Sequence, residues 1–214
     1  MTVQHHLSDE LLLSYAAGGL SEGWSLAVAT HLALCPDCRR RALAADAVGG
    51  ALLDGIEPSP VDDASLEAVL GRIDAAADRP LPPSARPAAG DTLLPEPLRT
   101  YAGPELRWRR RSPSAHQIRI ATRDRATTVR LLRIKAGAPM PVNGHRGTEL
   151  TLVLQGAFDD AAGTFARGDI EEADEGVEHQ PIAAAGEDCI CLAVTDAPLR
   201  FRGVAALLQP FLRI

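Results

Sequence analysis

Two groups of residues carry chemistry in their spacing. The first is His31-Leu-Ala-Leu-Cys35-Pro-Asp-Cys38. On a helix, residues four apart lie one turn along the same face, so His31 and Cys35 stack, with Cys38 three further on. Imidazole and thiolate together favour zinc in a tetrahedron, and a Cys-x-x-Cys turn offers two thiolates at once. The fourth ligand must come from elsewhere, and His5 or His6 at the start of the chain is the natural donor. A redox-active or merely buried cysteine pair is the competing reading, but the βαβ pattern of a thioredoxin-like site is missing around it. A centre closed by four protein ligands has no open position, so its zinc would be structural.

The second group is Asn143-x-His145, Glu149 four residues beyond the histidine, and a distant His179, set among the turn glycines Gly137, Gly156, Gly168 and Gly176. Two imidazoles and a carboxylate suffice for a second zinc or another divalent metal, with Asn143 as a weak carbonyl donor or water in the fourth position. The same composition occurs in the facial triad of non-haem iron oxygenases, which admits an enzymatic reading, a dioxygenase-like metalloenzyme with a helical accessory domain. The bland alternative is a polar core without metal. Cys189 and Cys191 alternate along a strand and face the same way, a poor placement for an unstrained disulfide, so they read as buried thiols.

Short helices must position the first group. Ser8 can cap a helix that opens with Asp9 and Glu10 and runs to the breaker Gly18-Gly19. A second helix starts at Ser21 and reaches Cys35-Pro36, and Pro36 suits the first position of a third that continues toward Gly49-Gly50. A fourth, Ala64 to Ala77, gathers Leu66, Val69, Leu70 and Ile73 on one face. Four such helices make little core by themselves. From Pro80 to Pro97 the chain turns to Pro, Ala and Gly, the composition of a semi-extended linker. Beyond it the pattern alternates: 118–120, 127–134, 150–154, 189–195 and 199–201 read as strands, and many short strands suggest a small barrel or jelly roll. The division is a helical zinc domain over 1–79, a linker over 80–98 and a β domain over 99–214.

Composition narrows the function. The chain has 214 residues with 46% hydrophobic and 23% charged, the profile of an ordinary globular protein. No apolar run approaches a bilayer span, and MTVQHHLSDE lacks the basic and apolar regions of a secretory signal, so a cytoplasmic protein with no membrane role is expected. Four cysteines in two close pairs are too few for a disulfide-stapled secreted fold. Residues 1–80 hold twelve acids against five arginines, which argues against direct nucleic-acid binding there and suits a partner with a basic face. Trp108 among Arg107, Arg109 and Arg110 reads as the exposed face of an edge strand rather than a nucleic-acid platform.

The spacing from Gly137 through Asn143, His145, Glu149 and Gly156 to Gly168, Gly176 and His179 is a cupin pattern, with one departure: cupins usually have histidine where Asn143 stands. The stretch HHLSDELLLSYAAGGLSEGWSLAVATHLALCPDC, followed by a cupin domain, resembles the ChrR-type zinc anti-sigma factors over nearly the whole chain. The resemblance implies zinc ligation by His6, His31, Cys35 and Cys38. It also implies a one-to-one partner, an RpoE-like extracytoplasmic-function sigma factor, released under photooxidative stress such as singlet oxygen or organic hydroperoxides. The apolar faces expected to meet that partner are Leu11 to Tyr15 and Leu66 to Ile73, without need of the β domain.

Overall fold

The computed structural model describes residues 2–62, 64–77, 93–140, 143–144, 147–174, 178–197 and 200–201. Five helices come first: α1 Asp9–Ala16, α2 Glu22–Leu34, α3 Pro36–Asp54, α4 Ser65–Ala77 and α5 Glu96–Ala102. The strands follow: β1 Arg109–Arg110, β2 Ala115–Ile120, β3 Thr128–Ile134, β4 Asn143–Gly144, β5 Glu149–Gln155, β6 Ala157–Asp160, β7 Gly163–Ala166, β8 Ile170–Ala173, β9 Glu178–His179, β10 Ile182–Ala183, β11 Cys189–Thr195 and β12 Arg200–Phe201. Ser8 does cap α1, its hydroxyl accepting from the Leu11 N–H, with Asp9 and Glu10 in the first turn. Gly49 and Gly50 do not stop α3, which runs on to Asp54.

The strands form a six-stranded antiparallel sheet, β1-β2-β3-β11-β5-β8, and two three-stranded sheets, β10-β6-β7 and β12-β4-β9. The expected barrel is therefore a cupin-like β-sandwich: among the described residues the three sheets are separate and hydrogen bonding does not close them into a ring. Leu199, read as the start of the last strand, lies outside the described residues.

Strand β11, inside the six-stranded sheet, is buried on both faces, and the pleat separates two environments. On β11, Ile190, Leu192 and Val194 join Leu150, Leu152, Leu154, Val129 and Leu131 in a core shared with Leu7, Leu12, Leu26, Ala27 and Val28 of the helical region. Cys189 faces the other way, into a second core with Ile134, Val153, Phe158 and Phe165. The four N-terminal helices thus do not stand apart on a core of their own. Helix α2 lies directly on β11 and β5, and also touches α3 and α5. Its seat is made at Gly23, where a side-chain carbon would run into the Thr127 hydroxyl and come within 2.8 Å of Val129 Cγ2. Leu94 and Leu98, at the end of the stretch read as linker, are buried in the same shared core. Trp108 packs partly buried against that core, while Arg109 and Arg110 form the exposed edge strand.

The first turn of α2 is also clamped. The Glu22 N–H donates to Asp124 Oδ2 at 2.6 Å, and in return the Arg123 and Asp124 N–H groups donate to Glu22 Oε2. Tyr101 Oη donates to the other oxygen, Oε1, at 2.8 Å. This phenol, with the two backbone donors, outweighs burial and holds the Glu22 carboxyl below the usual glutamate value.

Helix α4 is the opposite case. Leu66, Val69, Leu70 and Ile73 are 67%, 48%, 49% and 58% exposed. Leu43, Val48, Leu52, Leu53 and Ile56 on and after α3 are exposed too. On α1 the expected contact face is divided: Leu12 is buried in the shared core, Leu11 and Tyr15 pack against it, and Leu13 is left outside.

Candidate metal centre

Three segments converge at the N-terminal cluster. His31 sits in the last turn of α2, Cys35 caps α3 with its Sγ accepting from the Cys38 N–H at 3.4 Å, and Cys38 follows in the first turn of α3. His6 arrives from the extended segment before α1, with Nδ1 3.3 Å from Cys35 Sγ and 3.6 Å from Cys38 Sγ. One ligand atom from each of the four lies within 4.8 Å of all the others. A tetrahedron with Zn–S of about 2.3 Å and Zn–N of about 2.0–2.1 Å sets its corners about 3.3–3.8 Å apart, so the separations from His6 suit that ion. His5 is not in the cluster: its ring stacks on Phe165, with centroids 4.0 Å apart.

The electrostatics of the cluster fit a cation. His31 is completely buried, and neither ring nitrogen has a hydrogen-bond partner among the described residues. Burial above all lowers its pKa to about 4, although the Gly168 carbonyl and Asp169 pull the other way. The ring is therefore neutral at physiological pH, the form that ligates. The Cys38 thiol is raised by burial and by its neighbour Cys35, against the Leu7 N–H and Arg41. A buried thiol that resists ionisation, with a second buried sulfur beside it, favours a positive charge between the two. Arg41 supplies part of it from outside, with Nη1 3.6 Å from Cys38 Sγ and Nη2 2.5 Å from Asp9 Oδ1. The donors and spacing thus fit a zinc-type site.

The second constellation is placed only in part. Asn143 on β4 and His179 on β9 are register partners in neighbouring antiparallel strands of one three-stranded sheet, whereas Glu149 belongs to the six-stranded sheet. His145 lies outside the described residues. Glu149 opens β5 and is buried, and its Oε1 accepts from the Thr151 hydroxyl at 2.9 Å. It lines a cavity of about 40 Å³ with Thr151, Glu171, Met140, Cys189 and Cys191. Both cysteines are free and buried, as their strand alternation implied. A hydrogen bond between them holds Cys189 below the usual thiol value and, with burial, pushes Cys191 well above it.

Sequence reasoning passed over the residues that join the two parts of the chain. Neither Glu22 nor Asp169 stands out there. The one available signal was Gly168, taken as a turn glycine; its φ of +94° and the contact a side chain would make with Val3 mark a close approach of the N-terminal segment.

Known proteins share this arrangement. Residues 102–198 match the ChrR Cupin-like domain family. The anti-sigma-E factor ChrR of Cereibacter sphaeroides is 51% identical over 218 aligned residues that span 100% of both chains. Among solved structures, the crystal structure of Rhodobacter sphaeroides SigE in complex with the anti-sigma ChrR superposes with a TM-score of 0.80 at 46% identity, covering 91% of this chain and 100% of that one. With a relative of such identity along its full length, and the helical and cupin-like parts in the same order, the chain belongs to the ChrR family of anti-sigma factors.

Proposed function

We propose that the chain binds an RpoE-like extracytoplasmic-function sigma factor one to one in the cytoplasm, keeps it from transcription, and releases it under photooxidative stress such as singlet oxygen or organic hydroperoxides. The observation that carries the binding is the row Leu66, Val69, Leu70 and Ile73 on α4, an amphipathic face that the other described residues leave exposed. The solved relative with which the chain superposes is a complex of SigE with its anti-sigma. An apolar helix face pressed into a groove of a helical partner suits that row, and the acids of residues 1–80 suit a surface that otherwise meets the DNA backbone. Among the described residues no helix is long and apolar enough to cross a membrane.

His6, His31, Cys35 and Cys38 hold zinc in this reading. When bound, the ion supplies a tetrahedral crosslink without an open position for catalysis. The chain's own residues then do the rest: Arg41 balances thiolate charge and ties α3 to Asp9, and the Cys38 N–H holds Cys35 Sγ in place. In the cupin-like domain, His145, Glu149 and His179 with Asn143 form the proposed sensor pocket for a second zinc or other divalent metal. Its affinity is low because an amide stands where an imidazole would bind more strongly. The place of Glu149 on the cavity supports that reading. The full-length relative is a regulator, which favours sensing over turnover.

The test is direct. The purified chain, mixed with an extracytoplasmic-function sigma factor encoded beside it, is expected to elute as a one-to-one complex and to block transcription by that factor. If the two do not associate at micromolar concentration, the reading is wrong.

A further inference from the structure

The segment that delivers His6 is held by the cupin-like domain. Residues 3–8 lie along the turn between β7 and β8 and along β8 itself. At the centre of the contact is Asp169, which is 2% exposed. Its Oδ1 accepts from the Gln4 N–H at 2.6 Å and from the His5 N–H at 2.9 Å, while Oδ2 accepts from the Ala166 N–H at 2.8 Å and lies 3.6 Å from His5 Nδ1. The Ile170 N–H donates to the His5 carbonyl at 3.3 Å, and the Ser8 N–H to Glu172 Oε1 at 2.7 Å. The turn itself is anchored to the sheet, because the Gly168 N–H donates to the Val153 carbonyl and the Val153 N–H to that of Asp169. His6 is thus flanked on both sides by residues whose backbone is pinned to β-domain carboxylates, and its imidazole reaches the two sulfurs from there.

A buried carboxylate that accepts three backbone N–H groups fixes them strongly, and its removal would leave those donors unsatisfied. His6 alone of the four ligands is exposed and sits outside any helix, so it has the least other support. We propose that Asp169 is the positioning residue of the metal centre, a cupin-domain carboxylate that holds residues 4 and 5 and so keeps His6 within the ligand set. Metal affinity at the helical cluster and docking of residues 3–8 on the β7–β8 turn are then two aspects of one equilibrium. A displacement of that turn loosens the metal, and loss of the metal frees the turn.

The proposal rests on zinc binding by the four N-terminal residues, and the experiment separates the two. Zinc affinity of the full chain is measured by competition with a chromophoric chelator for the unaltered protein, Asp169→Ala, Asp169→Asn, His6→Ala and, as a control at the far end of the interface, Glu22→Gln. Removal of a residue that orients a ligand typically weakens metal binding about 10–100-fold, and Asp169→Ala is expected in that range. Asp169→Asn keeps the shape and one acceptor and is expected to fall between it and the unaltered chain. Glu22→Gln is expected to leave affinity unchanged. With cobalt(II) as the probe, the ligand-field bands of Asp169→Ala should move toward those of His6→Ala, which a general loss of stability would not produce. Normal affinity and normal cobalt bands in a folded Asp169→Ala protein overturn the positioning role, as does an equal loss in Glu22→Gln. If the unaltered chain takes up no zinc, the underlying metal reading fails and the proposal falls with it.

Discussion

Helices α2 and α4 have the same length, 13 residues each, and opposite fates. In α2, Gly23, Leu26, Ala27, Val28, Thr30 and His31 are all buried, because the helix is held by the sheet on one side and by α3 and α5 on others. In α4 the large apolar residues form one clear stripe, Leu66, Val69, Leu70 and Ile73, and all four are open to solvent. A helix with small and apolar residues on several sides is an interior element, whereas a one-sided stripe needs only one surface to cover it. The difference teaches where free energy resides in this molecule: burial at α2 stabilises the chain, and the apolar surface of α4 is the part that the proposed partner would cover.

The sharpest way to break this contrast is to remove what fixes the end of α2. Cys35→Ser is expected to abolish stoichiometric zinc, measured by elemental analysis, and with it most of a contribution that is about 10–16 kcal/mol in small structural zinc domains. If the variant melts like the unaltered chain, the sheet alone holds α2 and the metal is incidental. Next in size, Leu26→Ala in α2 is expected to cost about 2–5 kcal/mol in denaturant unfolding. Leu66→Ala in α4 should lie within about 0.5 kcal/mol of the unaltered chain. Equal losses at the two sites would erase the distinction. The same α4 face should matter in the other assay: Leu70→Ala with Ile73→Ala is expected to weaken sigma-factor binding by at least about 2 kcal/mol, some 30-fold, with no change in melting. Unchanged binding would move the partner surface elsewhere.

The smallest effect concerns the clamp on α2. The Glu22 carboxyl is held below its ordinary value chiefly by Tyr101, so its contribution is fully present above the unfolded glutamate pKa and is lost as pH falls through the lower folded value. Tyr101→Phe should therefore lower the melting temperature slightly at neutral pH and make it fall less steeply on acidification below about pH 4.5. A variant with an unaltered acid profile would show that the clamp does not depend on the phenol.

The metal cluster was legible in the sequence because its spacing is local. His31 and Cys35 are one helical turn apart, Cys35 and Cys38 share a capping turn, and those rules need no tertiary information. The choice between His5 and His6 was not local. The residues alone left it open, the resemblance chose His6, and the structure puts the His6 ring beside the two sulfurs and the His5 ring on Phe165. The strands were visible from alternation and β-branching, but not which face of β11 would meet the helices. With both faces buried, Cys189 to Thr195 reads as one apolar run in which inside and outside have no contrast. The Pro-rich stretch read as a linker over 80–98 from its composition, whereas Leu94 and Leu98 at its end belong to the common core. Asp169 was invisible because a turn aspartate looks the same in sequence whether it faces water or three backbone donors.

The open stripe on α4 also bears on how much of this protein a cell can hold. In the proposed complex the partner covers Leu66, Val69, Leu70 and Ile73, whereas each copy made in excess of that partner carries them exposed. Contiguous exposed apolar surface promotes self-association and draws chaperones and proteases, so surplus copies are the ones removed first. On the proposed reading, the lifetime of the chain would rise when its target is present and fall when it is not, and the same surface would both bind the target and keep count of it.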